Sequence, residues 1–245
     1  MTPLLYIFPI SHFSEKARFA LDLAKFDYEL KTLVPGEHIQ ILKKITTESF
    51  VPVLQTKDGV IQGSSKILDL IDSDSFQAAS SEEEREMEKK IDDQLGKGLQ
   101  TILYHFILAY PEIIGKLFLT RQPTKEEIIP PPERFDLISL VLRKRYKINP
   151  KNVELVMTNV KTLGSEIQEI YKSKKFFNGK SFGRVDLTVA TLFSALAMPK
   201  EAPGTAWFEA VTLPKDFHEW RDSLGFEILF ERIREFYREF RIQSR

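Results

Sequence analysis

The sequence predicts an N-terminal α/β unit followed by an all-helical unit. Short strand and helix patterns alternate before about residue 75, whereas only helical patterns follow. The length of 245 residues favours two domains, because single cores commonly close at about 100 to 200 residues. We therefore expect an α/β domain at 1–75, a linker at 76–84 and an all-helical domain at 85–245.

The first unit begins as a βαβ motif and continues as a hairpin and a helix. Lys57, Asp58 and Gly59 form a turn between two apolar runs, which is typical of a β-hairpin. Pro52 fits the start of a strand, where no central ladder bond is lost. The predicted strands lie near 3–8, 28–33, 52–55 and 60–62, and the predicted helices near 14–25, 38–45 and 64–72.

A polar segment separates this unit from the helices that follow. Asp, Ser, Ala and Gln dominate between residues 72 and 81, as in an exposed linker. Ser81 and Glu84 then form the pattern of a capping box, and apolar residues recur every three or four positions as far as Phe106. The sequence therefore predicts a long amphipathic helix here. Further helices are predicted near 133–147, 151–173, 184–197 and 225–241.

Composition and charge exclude several functions. Lysine plus arginine equals aspartate plus glutamate at 35 each, so no net positive field attracts nucleic acid or anionic lipid. The chain has no cysteine, which excludes disulfides, thiolate metal sites and a cysteine nucleophile. His105 and His218 have no histidine four residues away, so we expect no metal site. Without a signal-peptide pattern or a long apolar run, the sequence indicates a soluble, cytoplasmic protein with no nucleic-acid or membrane partner.

The motif Ser11-His12-Phe13-Ser14 lies at the predicted junction of the first strand and the first helix. A helix N-terminus carries unpaired N–H groups and the positive end of the helix dipole, which stabilise an anion such as a thiolate. The Ser-x-x-Ser spacing is that of a Cys-x-x-Cys redox motif in which oxygen replaces both sulfurs. Ser11 is also a preferred N-cap residue, so a purely structural role stays open. His12 either orients a ligand or faces solvent.

Four sequence blocks, in this order, resemble the cytosolic glutathione transferases in their Ser- or Cys-type, bacterial-like form. Three blocks are similar to the glutathione-binding domain of that family, and the fourth is similar to the stretch that opens the core helix of its helical domain. The blocks are 11–18, 50–54, 62–71 and 177–188. The resemblance implies a thioredoxin-like α/β N-terminal domain and an all-α C-terminal domain, which together make the glutathione transferase fold.

The resemblance also implies roles for individual residues. Ser11 matches the catalytic position that activates the glutathione thiol. The Val51-Pro52 bond would be cis, and the Val51 backbone would pair with the cysteinyl part of glutathione. Ser64 would bind the γ-glutamyl carboxylate at its helix start, and His38 lies where the family places residues near the glycyl end. The predicted glutathione-binding residues are Phe13, His38, Val51, Pro52, Gln62, Gly63, Ser64 and Ser65.

Three further positions can be compared with the pattern of the family. Gly63 stands where the family usually has an acidic or amide residue that meets the amino group of glutathione, and Gln62 precedes it. Some classes use a tyrosine to activate the thiol, but that position falls on Ile7, so Tyr6 would point to the opposite face of the sheet. Asp186 would be the third residue of its helix, where a carboxylate accepts from exposed N–H groups and supports folding.

The resemblance implies that glutathione is a co-substrate, used without a metal, for attack on a hydrophobic electrophile in detoxification. A glutathione-dependent isomerase or dehalogenase, and a non-catalytic binding or structural protein, remain alternatives. The lack of cysteine argues against thiol-transfer reductase activity, which needs a protein sulfur. A homodimer is expected. The residues predicted to line the electrophile pocket are Tyr104, Phe106, Leu108, Tyr110 and Phe118.

Overall fold

The computed structural model describes residues 2–76, 80–119, 124, 130 and 132–241. Its first part contains a four-stranded mixed sheet with the strand order β2-β1-β3-β4. Strands β1 and β2 are parallel, whereas β1 with β3 and β3 with β4 are antiparallel. The elements are β1 (Leu4–Ile7), α1 (His12–Leu23), β2 (Glu29–Thr32), α2 (His38–Leu42), β3 (Val53–Thr56), β4 (Gly59–Gln62) and α3 (Ser64–Ser75). The predicted βαβ start, hairpin and following helix are therefore confirmed.

The sheet separates two apolar clusters. Leu5 and Ile7 belong to the main core, which also contains side chains of α1, α3 and the later helices. Tyr6 lies between them in sequence and belongs to a smaller cluster with Leu42 of α2 and Val53. Because neighbouring side chains of a strand point to opposite faces, Tyr6 and Ile7 are on different sides of the sheet, as the sequence predicts.

The described residues of the second part form helices and the loops that join them. Helices α4 and α5 are joined by a π-helical segment and form the long helix that the sequence predicts. The predictions missed α6, α11 and α12, of which α11 has only five residues. The elements are α4 (Glu82–Ile91), the π segment (Asp92–Gly96), α5 (Lys97–Ile107), α6 (Pro111–Leu119), α7 (Phe135–Arg145), α8 (Pro150–Ser173), α9 (Arg184–Leu192), α10 (Ser194–Ala197), α11 (Thr205–Glu209), α12 (Lys215–Asp222) and α13 (Glu227–Phe240).

Two predicted helix starts have the expected chemistry. Ser81 accepts from the Glu84 N–H at 3.2 Å, and the Glu84 carboxylate accepts from the Ser81 N–H at 3.0 Å. At the start of α9, Asp186 accepts from the N–H groups of Gly183 and Phe177 at 2.9 and 2.8 Å. Burial raises the pKa of Asp186 to about 6 despite these hydrogen bonds. Residues 77–79 of the predicted linker lie outside the described residues, and the domain boundaries stay a prediction.

A buried ionic cluster joins the two parts of the chain. The Lys16 ammonium of α1 lies 2.6 Å from Glu88 Oε1 and 2.7 Å from Asp92 Oδ2. Arg184 of α9 pairs with the same Glu88 and, at 3.2 Å, with Asp72 of α3. Burial alone would raise the pKa of Glu88, but the charges of Lys16 and Arg184 bring it below its usual value. These charges tie α1 and α3 to α4 and α9.

We expect Arg184→Met to lower the free energy of unfolding by about 3–5 kcal/mol, because Glu88 loses one of its two cations and Asp72 loses its buried one. Urea unfolding at neutral pH measures this loss. Lys90→Met is the matched control, since Lys90 pairs with Glu166 at an exposed site and such pairs contribute at most about 1 kcal/mol. Equal stability of the two variants would show that the cluster does not hold the two parts together.

Candidate active site

Ser11 is the N-cap of α1, and its hydroxyl acts as an acceptor but not as a donor among the described residues. Its Oγ accepts a hydrogen bond from the Ser14 N–H at 3.2 Å. The Ser14 hydroxyl oxygen in turn accepts from the Phe8 N–H at 3.4 Å and so fixes the preceding loop. Among the described residues the Ser11 O–H donates to none. The capping role and a donor role therefore do not compete, because the cap uses a lone pair and leaves the proton.

The loop before β3 contains an unpaired stretch of backbone. The Val51-Pro52 peptide bond is cis, as predicted. The Pro52 carbonyl accepts from the Gly63 N–H at 2.9 Å, which fastens the loop to the end of β4. Gln62 also fixes the loop, because its Nε2 donates to the carbonyls of Glu48 and Phe50 at 3.0 and 2.8 Å. Within the described part of the chain, the Val51 N–H and C=O have no backbone partner.

Gly63, Ser64 and Ser65 have three different roles at the start of α3. Gly63 has φ 100°, in the left-handed region that favours glycine. Ser64 is the first residue of the helix and is buried. The Ser65 hydroxyl donates to Asp92 Oδ2 at 2.7 Å. Ser65 thus belongs to the interface with the π segment, whereas Ser64 stands at the helix N-terminus.

Phe13 and His38, two more predicted ligand contacts, have their rings packed against protein. A Cβ placed on Gly96 would lie 2.6 Å from the Phe13 ring, so this ring lies directly on the π segment. His38 is buried, meets Phe8 edge to face at 4.9 Å and accepts at Nδ1 from the Gly36 N–H at 3.0 Å. Burial lowers the pKa of His38, which is therefore neutral at pH 7.

His12 is half-buried, and whether it orients a ligand stays open. Its Nε2 is buried and has no hydrogen-bond partner among the described residues. Burial lowers the pKa of His12 to about 4, the Gly96 backbone acts in the opposite direction, and the Lys16 charge lowers it further. His12 is thus an uncharged ring between α1 and the π segment.

Tyr6 is held away from Ser11 by its packing. Its side chain is buried in the smaller cluster, and its hydroxyl donates to Gln55 Oε1 at 3.0 Å. Burial raises the pKa of Tyr6, which disfavours the phenolate. These contacts support the interpretation of Tyr6 as a packed aromatic residue.

Comparisons with known proteins agree with this geometry. Residues 5–79 match the family model described as "Glutathione S-transferase, N-terminal domain". This part of the chain is similar to the N-terminal domain of the glutathione S-transferases. The match spans the sheet, the cis-proline loop and all of α3. No curated protein sequence matches the chain significantly.

Solved glutathione transferases share the fold of the whole chain. GSTFuA2 from Phanerochaete chrysosporium is 13% identical with a TM-score of 0.63, and the alignment covers 100% of both chains. A glutathione S-transferase of Ceriporiopsis subvermispora, solved in complex with glutathione, is 11% identical with a TM-score of 0.62 and coverages of 100% and 99%. The β-etherase LigF from Sphingobium sp. strain SYK-6 is 18% identical with a TM-score of 0.59 and coverages of 96% and 99%. At these identities the similarity shows the glutathione transferase fold.

Four of the five residues predicted for the electrophile pocket belong to the main core of this transferase fold or pack against it. Tyr104 and Phe118 stack at 5.9 Å, and Tyr146, which the predictions missed, stacks on Tyr104 at 4.5 Å. Phe106 and Leu108 are buried in the core. Tyr110 is 38% exposed, so it belongs to the surface.

A cavity of about 400 Å³ lies elsewhere in the helical part of this transferase fold, between α10, α11 and α12. None of the predicted pocket residues lines it. Its apolar lining includes Met198, Phe208, Val211, Leu213 and Phe217.

No group of three or more residues able to hold a metal ion occurs among the described residues. None of the described helices has the length and apolar character needed to cross a bilayer.

We expect Gly96→Ala to lower the free energy of unfolding by about 1–3 kcal/mol, because its Cβ would overlap the Phe13 ring. The same change in a Phe13→Leu background should cost clearly less, since the shorter side chain leaves room. Chemical denaturation of the two single variants and the double variant measures this coupling. An unchanged cost in the Phe13→Leu background would show that the ring is not what excludes a side chain from position 96.

Proposed function

We propose that this chain is a glutathione transferase that activates the glutathione thiol for attack on a hydrophobic electrophile. The observation that carries the proposal is the Ser11 hydroxyl, which caps α1 with its oxygen and keeps its proton available. A donated hydrogen bond stabilises a thiolate beside it and lowers the pKa of the ligand's thiol. The helix N-terminus adds favourable electrostatics for the same anion.

The remaining groups of the proposed site fit the shape of glutathione. The unpaired N–H and C=O of Val51 offer the cysteinyl part a strand-like pairing. Ser64 and the free N–H groups of α3 offer a site for the γ-glutamyl carboxylate. Ser65 and Phe13 would support the proposed site from behind, because the Ser65 hydroxyl and the Phe13 ring both contact the π segment.

A non-catalytic glutathione-binding protein is the second candidate. The observation that favours it is the lack of a carboxylate at positions 62 and 63, which hold a glutamine and a glycine. Neither residue offers the acidic side chain that would meet the amino group of the ligand. An isomerase or dehalogenase would use the same thiolate on a different second substrate. A homodimer and a cytoplasmic location also remain predictions.

We expect Ser11→Ala to lower kcat/KM for conjugation by at least about ten-fold, because the loss of a hydrogen bond to a charged group costs about 1.5–3 kcal/mol. Its affinity for glutathione should stay within a few-fold of the parent. Turnover on a panel of hydrophobic electrophiles and calorimetric titration with reduced glutathione measure the two effects. Ser11→Thr should retain much of the activity, because it keeps the hydroxyl.

Tyr6→Phe is the control for this experiment, since Tyr6 lies on the opposite face of the sheet. A large loss of turnover in Tyr6→Phe, with full activity in Ser11→Ala, would exclude Ser11 as the activating group. Binding of glutathione without turnover of any electrophile would favour the non-catalytic candidate.

We expect Ser64→Ala to weaken glutathione binding by about ten-fold, because it removes a charge-assisted hydrogen bond to the γ-glutamyl carboxylate. Thermal unfolding with and without saturating glutathione measures this loss, since a ligand that binds only the folded state raises its stability. Ser73→Ala, a serine substitution later in the same helix, is the comparison. A glutathione-induced shift in Ser64→Ala as large as that in the parent would mean that Ser64 binds no carboxylate.

A further inference from the structure

Helix α7 has an apolar face that is more than half exposed. Leu137, Leu140 and Val141 are 54%, 65% and 55% exposed. Positions three and four apart in a helix lie on the same face, so these three side chains form one stripe. Phe135 and Leu142 pack against the main core from the other side of the helix. No residue of α7 is fully buried, so the helix stands on the surface of the molecule.

This apolar stripe lies in a positively charged segment. The chain as a whole has equal numbers of cations and anions, but residues 134–151 contain six lysines and arginines and one acidic residue. All six cations are exposed, and none takes part in an ion pair within the described part of the chain. Lys144 lies on the apolar face itself, four residues after Leu140 and three after Val141. The six cations are Arg134, Arg143, Lys144, Arg145, Lys147 and Lys151.

Exposed leucine and valine beside unpaired cations complement the surface of an anionic bilayer. An amphipathic helix binds such a surface by placing its apolar face at the boundary of headgroups and acyl chains, while lysines and arginines attract the anionic headgroups. Nucleic acid also attracts cations, but its phosphates and stacked bases offer little apolar surface to leucine and valine. A two-fold dimer through this face would bury the leucines, but it would bring the cations of both copies together. Of the three, the bilayer complements both kinds of side chain.

We propose that α7 binds the protein to an anionic lipid bilayer, with Leu137, Leu140 and Val141 inserted among the headgroups and the neighbouring cations on the lipid anions. The binding is peripheral and reversible, because one short apolar face and a few charges make a weak anchor. The expectation of no membrane partner rests on the net charge and on the lack of a long apolar run, and neither detects an amphipathic surface helix. None of these residues belongs to the proposed glutathione site, so the proposal is independent of the proposed function.

The test is sedimentation of the full chain with two kinds of lipid vesicle. One kind contains equal parts of phosphatidylserine and phosphatidylcholine, and the other contains phosphatidylcholine alone. We expect the parent to bind the first kind at least about ten-fold more strongly, and to lose this preference as added salt screens the charges. Leu140→Ser should weaken binding to the anionic vesicles at least about five-fold, because it removes apolar surface from the contact. Lys144→Gln should weaken it about five-fold, because it removes one cation near the headgroups.

Leu70→Ser and Lys57→Gln are the matched controls. Leu70 is 48% exposed on α3, and Lys57 is exposed in the hairpin turn between β3 and β4. Both variants should bind the anionic vesicles within about two-fold of the parent, because neither residue lies on the proposed contact face. Thermal unfolding checks that all four variants keep the stability of the parent.

Several results would overturn the proposal. They are a parent that binds neither vesicle, equal binding to both kinds of vesicle, and losses in the controls as large as those in the α7 variants. A parent dimer that Leu140→Ser converts to a monomer, without vesicle binding, would assign the face to a second copy of the chain. Binding of a DNA oligonucleotide but not of vesicles would assign the cations to nucleic acid. Each of these results leaves the proposed glutathione chemistry unaffected.

Discussion

The buried pairing of Lys16 and Arg184 with Glu88 is the contact on which the arrangement of the molecule depends. Each cation comes from a helix that is far from Glu88 in sequence, and the carboxylate lies between them. Charges removed from water are costly unless they are paired, so the cluster is satisfied only in one relative placement of α1, α4 and α9. Since Ser11 is the N-cap of α1, the same contact sets where the proposed thiol site lies against the helical part.

Several elements could be predicted because they depend on local chemistry. The hairpin turn at Lys57 to Gly59, the proline at position 52 and the capping box at Ser81 each involve residues within a few positions of one another. The cis bond at Pro52 was expected from the resemblance and is compatible with proline chemistry. The missed helices α11 and α12 are short, and short helices depend on tertiary packing more than on pattern.

The contacts that shape the candidate site could not be predicted, because they join residues far apart in the chain. Ser64 and Ser65 are neighbours with the same side chain, yet only Ser65 is bound to Asp92, 27 positions away. The Phe13 ring lies against Gly96, 83 positions away. Nothing in the local sequence distinguishes a serine or phenylalanine that meets a ligand from one that meets another helix.

The π-helical segment explains why apolar residues of the long helix recur at every fourth position. Met87, Ile91, Leu95 and Leu99 follow one another at steps of four, and a step of four in an α-helix overshoots a full turn by about 40°. Three such steps would rotate Leu99 well away from Met87. The wider i→i+5 turn of the π segment takes up this rotation, so all four side chains reach the same core. A uniform four-residue apolar spacing within a long helix thus indicates one inserted residue. Here the insertion lies in the turn whose Asp92 binds Ser65 and Lys16 and whose Gly96 contacts the Phe13 ring.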